Sequence, residues 1–118
     1  MTSDRSPEAM VREYYRALDD HKYDRLPSLL APGFVQIRPD MRLEGRERFV
    51  TFMRDERPVT DTSHPIDAIY ERKDSDGDGE EYAARGRLVT ADGRCLTGFV
   101  DVFSVENGQI TELRTYTD

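Results

Sequence analysis

Two extended segments that meet at Asn107-Gly108 constrain this chain more than any other stretch of it. Residues 93–118 read GRCLTGFVDVFSVENGQITELRTYTD. A type I′ turn needs positive φ at both central positions, and Asn-Gly meets that need, so the spacing predicts a hairpin with Glu106-Asn107-Gly108-Gln109 as its loop. In the first arm, period-two alternation puts Cys95, Thr97, Phe99, Asp101, Phe103 and Val105 on one face. Asp101 is therefore an acid between two phenylalanines, on a face that should be buried. A carboxyl there must be paired, be kept protonated, or line a cavity. The other face carries Leu96, Gly98, Val100 and Val102, too apolar for water, and predicts a homodimer through the outer side of the sheet.

Upstream the periodicity changes. Ser6-Pro7-Glu8 offers an N-cap, a proline suited to the first helical position and an acid for the first turn. Met10, Val11, Tyr14, Tyr15 and Leu18 recur at helical spacing, which predicts a helix to about Asp20. A short second helix, with Leu26, Leu29 and Leu30 inward, is stopped by Ala31-Pro32-Gly33. Phe34 to Arg38 reads as a short strand ended by Pro39. A third helix runs from Arg46 to about Arg57, with Phe49, Val50, Phe52 and Met53 on one side and Pro58 at its close. Everything beyond is extended: a strand through Ile66, Ala68 and Tyr70, another from about Glu81 to Thr90, then the hairpin. Helices gathered before a run of antiparallel strands predict one α+β domain over residues 1–118, with the helices on one face of a curved sheet.

Charge excludes one class of partner. The formal net charge is −7, with 24 acids against 17 bases, and nucleic acid binding needs a basic footprint. Of the 17 bases 2 are lysine, Lys22 and Lys73, and the other 15 are arginine. Proteins of salt-loving microbes carry such acidic, lysine-poor surfaces, because dense salt screens the self-repulsion; an ordinary acidic protein from a GC-rich genome carries one too. One cysteine, Cys95, leaves no intrachain disulfide. The first residues hold no apolar signal segment and no run reaches membrane-spanning length, so the expectation is a cytoplasmic chain with no membrane partner. His21, His64 and Cys95 are too scattered for a zinc site. Asp74, Asp76, Asp78 and Gly79 match positions 1, 3, 5 and 6 of a calcium loop. Position 12 is Arg85 where a bidentate Glu is required, so the stretch reads as an acidic connection between strands.

With YYRALDDHKYDRL early and GFVDVFSVENGQITELRTYTD late, the chain resembles the nuclear transport factor 2-like superfamily, in its SnoaL-like branch, over roughly Pro7 to Thr117. The resemblance implies a cone of the cystatin-like kind: a curved, mostly antiparallel sheet wrapped around N-terminal helices, with a pocket at the open end and homodimers as the assembly. Members include ketosteroid isomerases, polyketide cyclases, epoxide hydrolases, dehydratases and pocketed proteins that catalyse nothing known. Ketosteroid isomerase pairs a helix tyrosine with a protonated aspartic acid on a late strand to form an oxyanion hole. By this resemblance Tyr14, in VREYYRAL, and Asp101, in FVDVF, fill those roles. The aspartate base that precedes a proline in that enzyme is missing. Arg38, in QIRP, stands there, and a guanidinium cannot abstract a proton at neutral pH.

The expected site follows. Tyr14 and Asp101 polarise a carbonyl or hydroxyl oxygen, and Arg38 or His64, the latter at a strand start where family members often carry a rim residue, orients a small organic ligand. Phe34, Phe52, Met53, Phe99 and Phe103 supply an apolar wall. Each has a plainer reading: Tyr14 as core, Asp101 satisfied by an internal arginine or backbone, Arg38 as a solvated strand end, His64 as a surface side chain. Asp101 has two open states. It is ionised if Arg38 reaches it, and pushed toward the neutral acid by desolvation if Arg38 turns to the rim. No organic cofactor is expected, since no glycine-rich phosphate loop follows a strand. The chemistry implied is of isomerase, cyclase, hydratase or hydrolase type; the alternative is a ligand-binding or dimerisation module without catalysis.

Overall fold

Ser6 sets where the first helix begins. Its Oγ accepts from the Ala9 amide at 3.1 Å, and α1 runs Pro7–Asp19. The computed structural model describes residues 6–57, 61–72 and 80–118. The calcium-loop candidate at 74–79 and the helix-closing Pro58 lie outside the described residues. Met10, Val11, Tyr14, Tyr15, Ala17 and Leu18 are all buried, a stripe wide enough to lay α1 across the inner face of the sheet. A 3₁₀ turn over Tyr23–Arg25 leads into a single helical turn, α2, at Leu26–Leu29. The third helix, α3, covers Arg46–Thr51 and continues as a π-helical turn over Phe52–Glu56, closed by the Arg57 amide on the Phe52 carbonyl at 2.9 Å. No helix among the described residues is long and apolar enough to cross a membrane.

The strands among the described residues are β1 (Leu30–Ile37), β2 (Arg42–Glu44), β3 (Thr62–Ser63), β4 (Ile66–Glu71), β5 (Glu80–Thr90), β6 (Cys95–Glu106) and β7 (Gln109–Thr117). They form one sheet in the order β2-β1-β7-β6-β5-β3, with β4 also pairing to β5. Their pairing is antiparallel except between β1 and β7, so the architecture is α+β with a mostly antiparallel, curved sheet. The hairpin closes as the sequence predicts: Glu106 pairs with Gln109, and Asn107 and Gly108 take φ of 52° and 75°.

Two local expectations fail and one strand goes unpredicted, and each outcome traces to pairing between separate segments. Leu30, read as helical, belongs to β1, because it pairs with Ile110 of β7; an irregularity between Leu30 and Val35 absorbs Ala31-Pro32-Gly33. Strand β2 is too short to show a period and exists only by pairing with β1. Cys95, placed inward by alternation, is exposed. A bulge there sets Leu88 opposite Thr97 and Val89 opposite Cys95, so Leu96 is extra and the alternation breaks.

One glycine controls how closely the chain before β4 approaches the sheet. A Cβ at Gly86 of β5 would sit 2.5 Å from the Pro65 carbonyl oxygen and 3.1 Å from the Phe99 ring. The Arg87 amide donates to the same carbonyl at 3.1 Å, which holds His64-Pro65 against the inner face. Gly86→Ala is expected to lower stability in chemical unfolding by about 1–3 kcal/mol, the range for overpacking. Gly33→Ala, with nothing within 4 Å of its Cβ, is the control, expected to shift stability by less than about 1 kcal/mol.

Candidate functional site

Strand β6 has β5 on one side and β7 on the other, so its inward side chains are flanked on both sides. Asp101 is 5% exposed. Its Oδ2 accepts from the Tyr15 hydroxyl at 2.6 Å and its Oδ1 from the Thr115 hydroxyl at 2.6 Å. Gln36 Nε2 donates to Thr115 Oγ1 at 3.0 Å, so a chain of donors converges on one carboxyl. Burial pushes Asp101 above the usual aspartate value. The bonds from Thr115 and Tyr15, and then the charges of His64 and Arg38, hold back part of that rise. Tyr14 and Tyr15 are both driven well above the tyrosine range, by burial first and by the Asp101 charge second. Both remain protonated donors at neutral pH.

These groups open on a cavity of about 320 Å³, at the small end of ligand pockets. Leu18, Met53, Leu88, Leu96 and Phe99 give it an apolar wall, and Tyr14, Gln36, Arg38, Arg57, Thr62 and His64 add polar groups. Asp19, at the end of α1, grips His64 twice: Oδ1 lies 2.6 Å from Nδ1, and Oδ2 accepts from the His64 amide at 3.0 Å. A carboxylate on Nδ1 selects the tautomer with its proton there, leaving Nε2 as the open ring atom. The ring sits 5.5 Å from Tyr15 and 5.8 Å from Phe99. Two buried polar atoms of the wall, Gln36 Oε1 and Thr62 Oγ1, have no protein partner among the described residues. Nor do any three His, Cys, Asp or Glu side chains among them converge to hold a metal ion.

Of the residues singled out in the sequence, Tyr14, Arg38, Met53, His64, Phe99 and Asp101 line this cavity. Phe34, Phe52 and Phe103 back the wall instead of forming it. Phe34 packs on Phe49 at 4.8 Å, Phe103 meets Tyr14 and Tyr15 edge-on at 5.4 and 5.9 Å, and Phe52 lies 5.4 Å from the Arg38 guanidinium carbon. Arg38 pairs with Asp40 at 3.3 Å. Tyr15, not Tyr14, bonds Asp101. Helical spacing could not choose between the two, because both fall inside the wide buried stripe of α1. Tyr14 is 2% exposed, and among the described residues no acceptor takes its hydroxyl proton.

Sequence reasoning also missed Asp19, Gln36, Arg57 and Thr115. Thr115 is instructive. A two-residue loop with no bulge would set Arg114 opposite Asp101. A bulge between Ser104 and Val105 shifts the register by one, so Thr115 faces Asp101 and Arg114 faces Val102 on the other side. The signal that could have found Thr115 is the apolar pattern of β7, where Ile110 and Leu113 share the buried side only if the strand bulges.

A sequence profile of the SnoaL-like domain matches residues 11–113. Among solved structures, the fold superposes on a nuclear transport factor 2-like protein of unknown function from Cytophaga hutchinsonii, with a TM-score of 0.79 and 19% identity, over 100% of this chain and 95% of that one. A provisionally assigned polyketide cyclase from Sinorhizobium meliloti gives 0.74 and 18%, over 98% and 100%. A provisionally assigned ketosteroid isomerase from Kribbella flavida gives 0.71 and 20%, over 93% and 76%. At such identities the likeness establishes the fold alone. No curated protein matches the chain.

The electrostatics of Asp101 can be read directly. Carboxyl-carbon NMR titration is expected to place it above the ordinary aspartate value, and Tyr15→Phe should move it further up by removing a donor to the anion. An acid raised in the folded state contributes stability that is full below its unfolded value and is lost as pH rises through its folded one. Asp101→Asn is therefore expected to gain stability relative to wild type across that window and to hold the gain above it, measured by chemical unfolding at several pH values. A wild-type midpoint at or below the ordinary value would remove the neutral-acid state.

Proposed function

The chain belongs to the SnoaL-like domain family, and from that premise and the chemistry of its cavity we propose a small-molecule pocket protein that catalyses proton transfer on an organic carbonyl compound. One observation carries this reading. A buried carboxyl held by two hydroxyls shares a cavity with a histidine whose Nδ1 is fixed by a carboxylate. Nε2 of His64 takes a proton from the carbon beside the carbonyl. The C–H electron pair becomes the new C=C bond and the C=O π pair moves onto the carbonyl oxygen, which accepts a hydrogen bond from Tyr14. The proton on Nε2 returns to the same carbon or, in a conjugated substrate, to a more distant one, which completes an exchange or an isomerisation. Asp101 orients Tyr15 through its short bond and, in its neutral state, adds no negative charge beside the developing enolate.

The test is α-proton exchange in deuterium oxide, followed by NMR over a panel of small ketones and oxo acids. Exchange is expected above the buffer rate, and His64→Gln is expected to slow it by about a hundredfold or more. Asp101→Asn keeps the shape and should slow it less. Exchange that survives His64→Gln would overturn the mechanism. A rival reading, binding without turnover, draws on the fact that both Asp101 oxygens already have partners inside the protein. Ligands that bind while none of the panel exchanges would favour it.

We also propose that the outer face of the sheet pairs two copies of the chain. Val100 lies opposite Tyr116, and Val102 opposite Ala83, which in turn faces Tyr70. Tyr70 and Tyr116 are 53% and 54% exposed, so the central strands present an apolar patch that a second copy would cover. Sedimentation is expected to show a dimer at micromolar concentration, with Val100→Glu returning it to a monomer; a wild-type monomer would refute the assembly.

A further inference from the structure

One arginine of the cavity wall has only neutral partners. Arg57 follows directly on the π-helical turn, which carries its side chain back over the helix end. Its Nε donates to the Met53 carbonyl at 3.0 Å, and Nη2 donates to the Leu18 carbonyl at 3.4 Å and the Tyr23 hydroxyl at 2.8 Å. The Tyr23 ring lies 5.8 Å from its guanidinium carbon. Among the described residues no carboxylate comes within ion-pair distance of it, and Nη1 has no acceptor. The side chain is half-buried and lines the cavity. A guanidinium in that position gains from an anion, and its planar pair of N–H groups suits a carboxylate.

A second observation fixes what lies beside that anion. Tyr14, whose hydroxyl has no acceptor among the described residues, lines the same cavity as Arg57 and Arg38, and both positive charges act on it. An oxygen received by Tyr14 would therefore lie near the two guanidiniums, and Arg38 is only partly offset by Asp40. We propose that the substrate is a short oxo acid: its carboxylate pairs with Arg57, its oxo group accepts from Tyr14, and its apolar body lies against Phe99, Leu88 and Leu96. This rests on the cavity being the ligand site and deepens that reading by naming the substrate class. A carboxylate so placed adds negative charge to the cavity that Asp101 lines, which favours the neutral form of that acid.

The experiment compares short aliphatic and phenyl-bearing 2-oxo acids with their primary amides, which match them in shape and lack the charge. Dissociation constants are read by ligand-observed NMR on the intact chain. At least one acid is expected to bind wild type roughly tenfold or more tightly than its amide, the size of a charge-assisted pair. Arg57→Gln should remove that preference while leaving amide affinity unchanged. Arg57 also clips the helix end to α1, so melting temperatures are measured alongside. A purely structural arginine would weaken acid and amide alike, and that result would overturn the subsite. Should Arg57→Gln fail to fold, Tyr14→Phe serves in its place, since it keeps the ring and is expected to weaken each oxo acid more than the matching acid without the oxo group. Acids and amides binding wild type equally would overturn the inference alone. His64→Gln, which is expected to lose exchange, should keep the preference for acids, so loss of exchange and loss of the anion site are separable. If neither acid nor amide binds, the pocket reading falls as well.

Discussion

The bond between Tyr15 and Asp101 is the contact on which the rest of the structure depends. It joins α1 to the central strand across 86 residues of sequence, and both side chains are buried. An acid left there without donors would cost about 1–3 kcal/mol or more, so the helix must dock with Tyr15 over β6 and nowhere else along the sheet. That docking brings the end of α1 over the start of β4, where Asp19 can hold His64. It also lays Tyr14 beside Phe49 and Phe103, with its hydroxyl left for something else.

The same carboxyl explains why the register of the last hairpin matters. With Arg114 opposite it, Asp101 would form an internal ion pair, and the guanidinium would lower its pKa and favour the anion. The bulge replaces that arginine with a hydroxyl, which donates without bringing charge. Donors that favour the anion and burial that disfavours it then act against each other on one group, and burial dominates. A carboxyl pushed toward its neutral form suits the part the proposed mechanism gives it, which is to orient Tyr15 without adding charge while His64 moves the proton.

The cavity differs in sign from the molecule around it. The chain carries −7 overall, and many of its arginines sit in exposed local pairs such as Arg42–Glu44, Arg48–Glu56 and Arg114–Glu112. Pairs of that kind contribute little to stability, and they neutralise the surface locally. Arg57 is set apart because the π-helical turn directs it toward neutral oxygens, and Arg38 because it lies over Phe52 with a single acid nearby. An acidic exterior with cationic groups kept inside discourages most anions from binding the surface, which is in keeping with the anion subsite proposed for the cavity.

What the sequence determined by itself was what depends on neighbours along the chain. The positive φ of Asn107-Gly108, the period-two pattern of β6 and the capped, wide apolar stripe of α1 are local rules, and they were enough for the α+β class, the hairpin and the inward Asp101. The choice of Tyr15 over Tyr14, the exposure of Cys95, the pairing of Leu30 with Ile110 and the placing of Thr115 were decided by tertiary structure. Each turns on a shift of one residue. Adjacent helical positions share a buried stripe, and a single bulge exchanges the faces of a strand, so composition and period are nearly the same on either side of the shift. Only the packing of α1 against β6, and of β7 between β1 and β6, gives the two alternatives different energies, and those contacts join segments far apart in the chain.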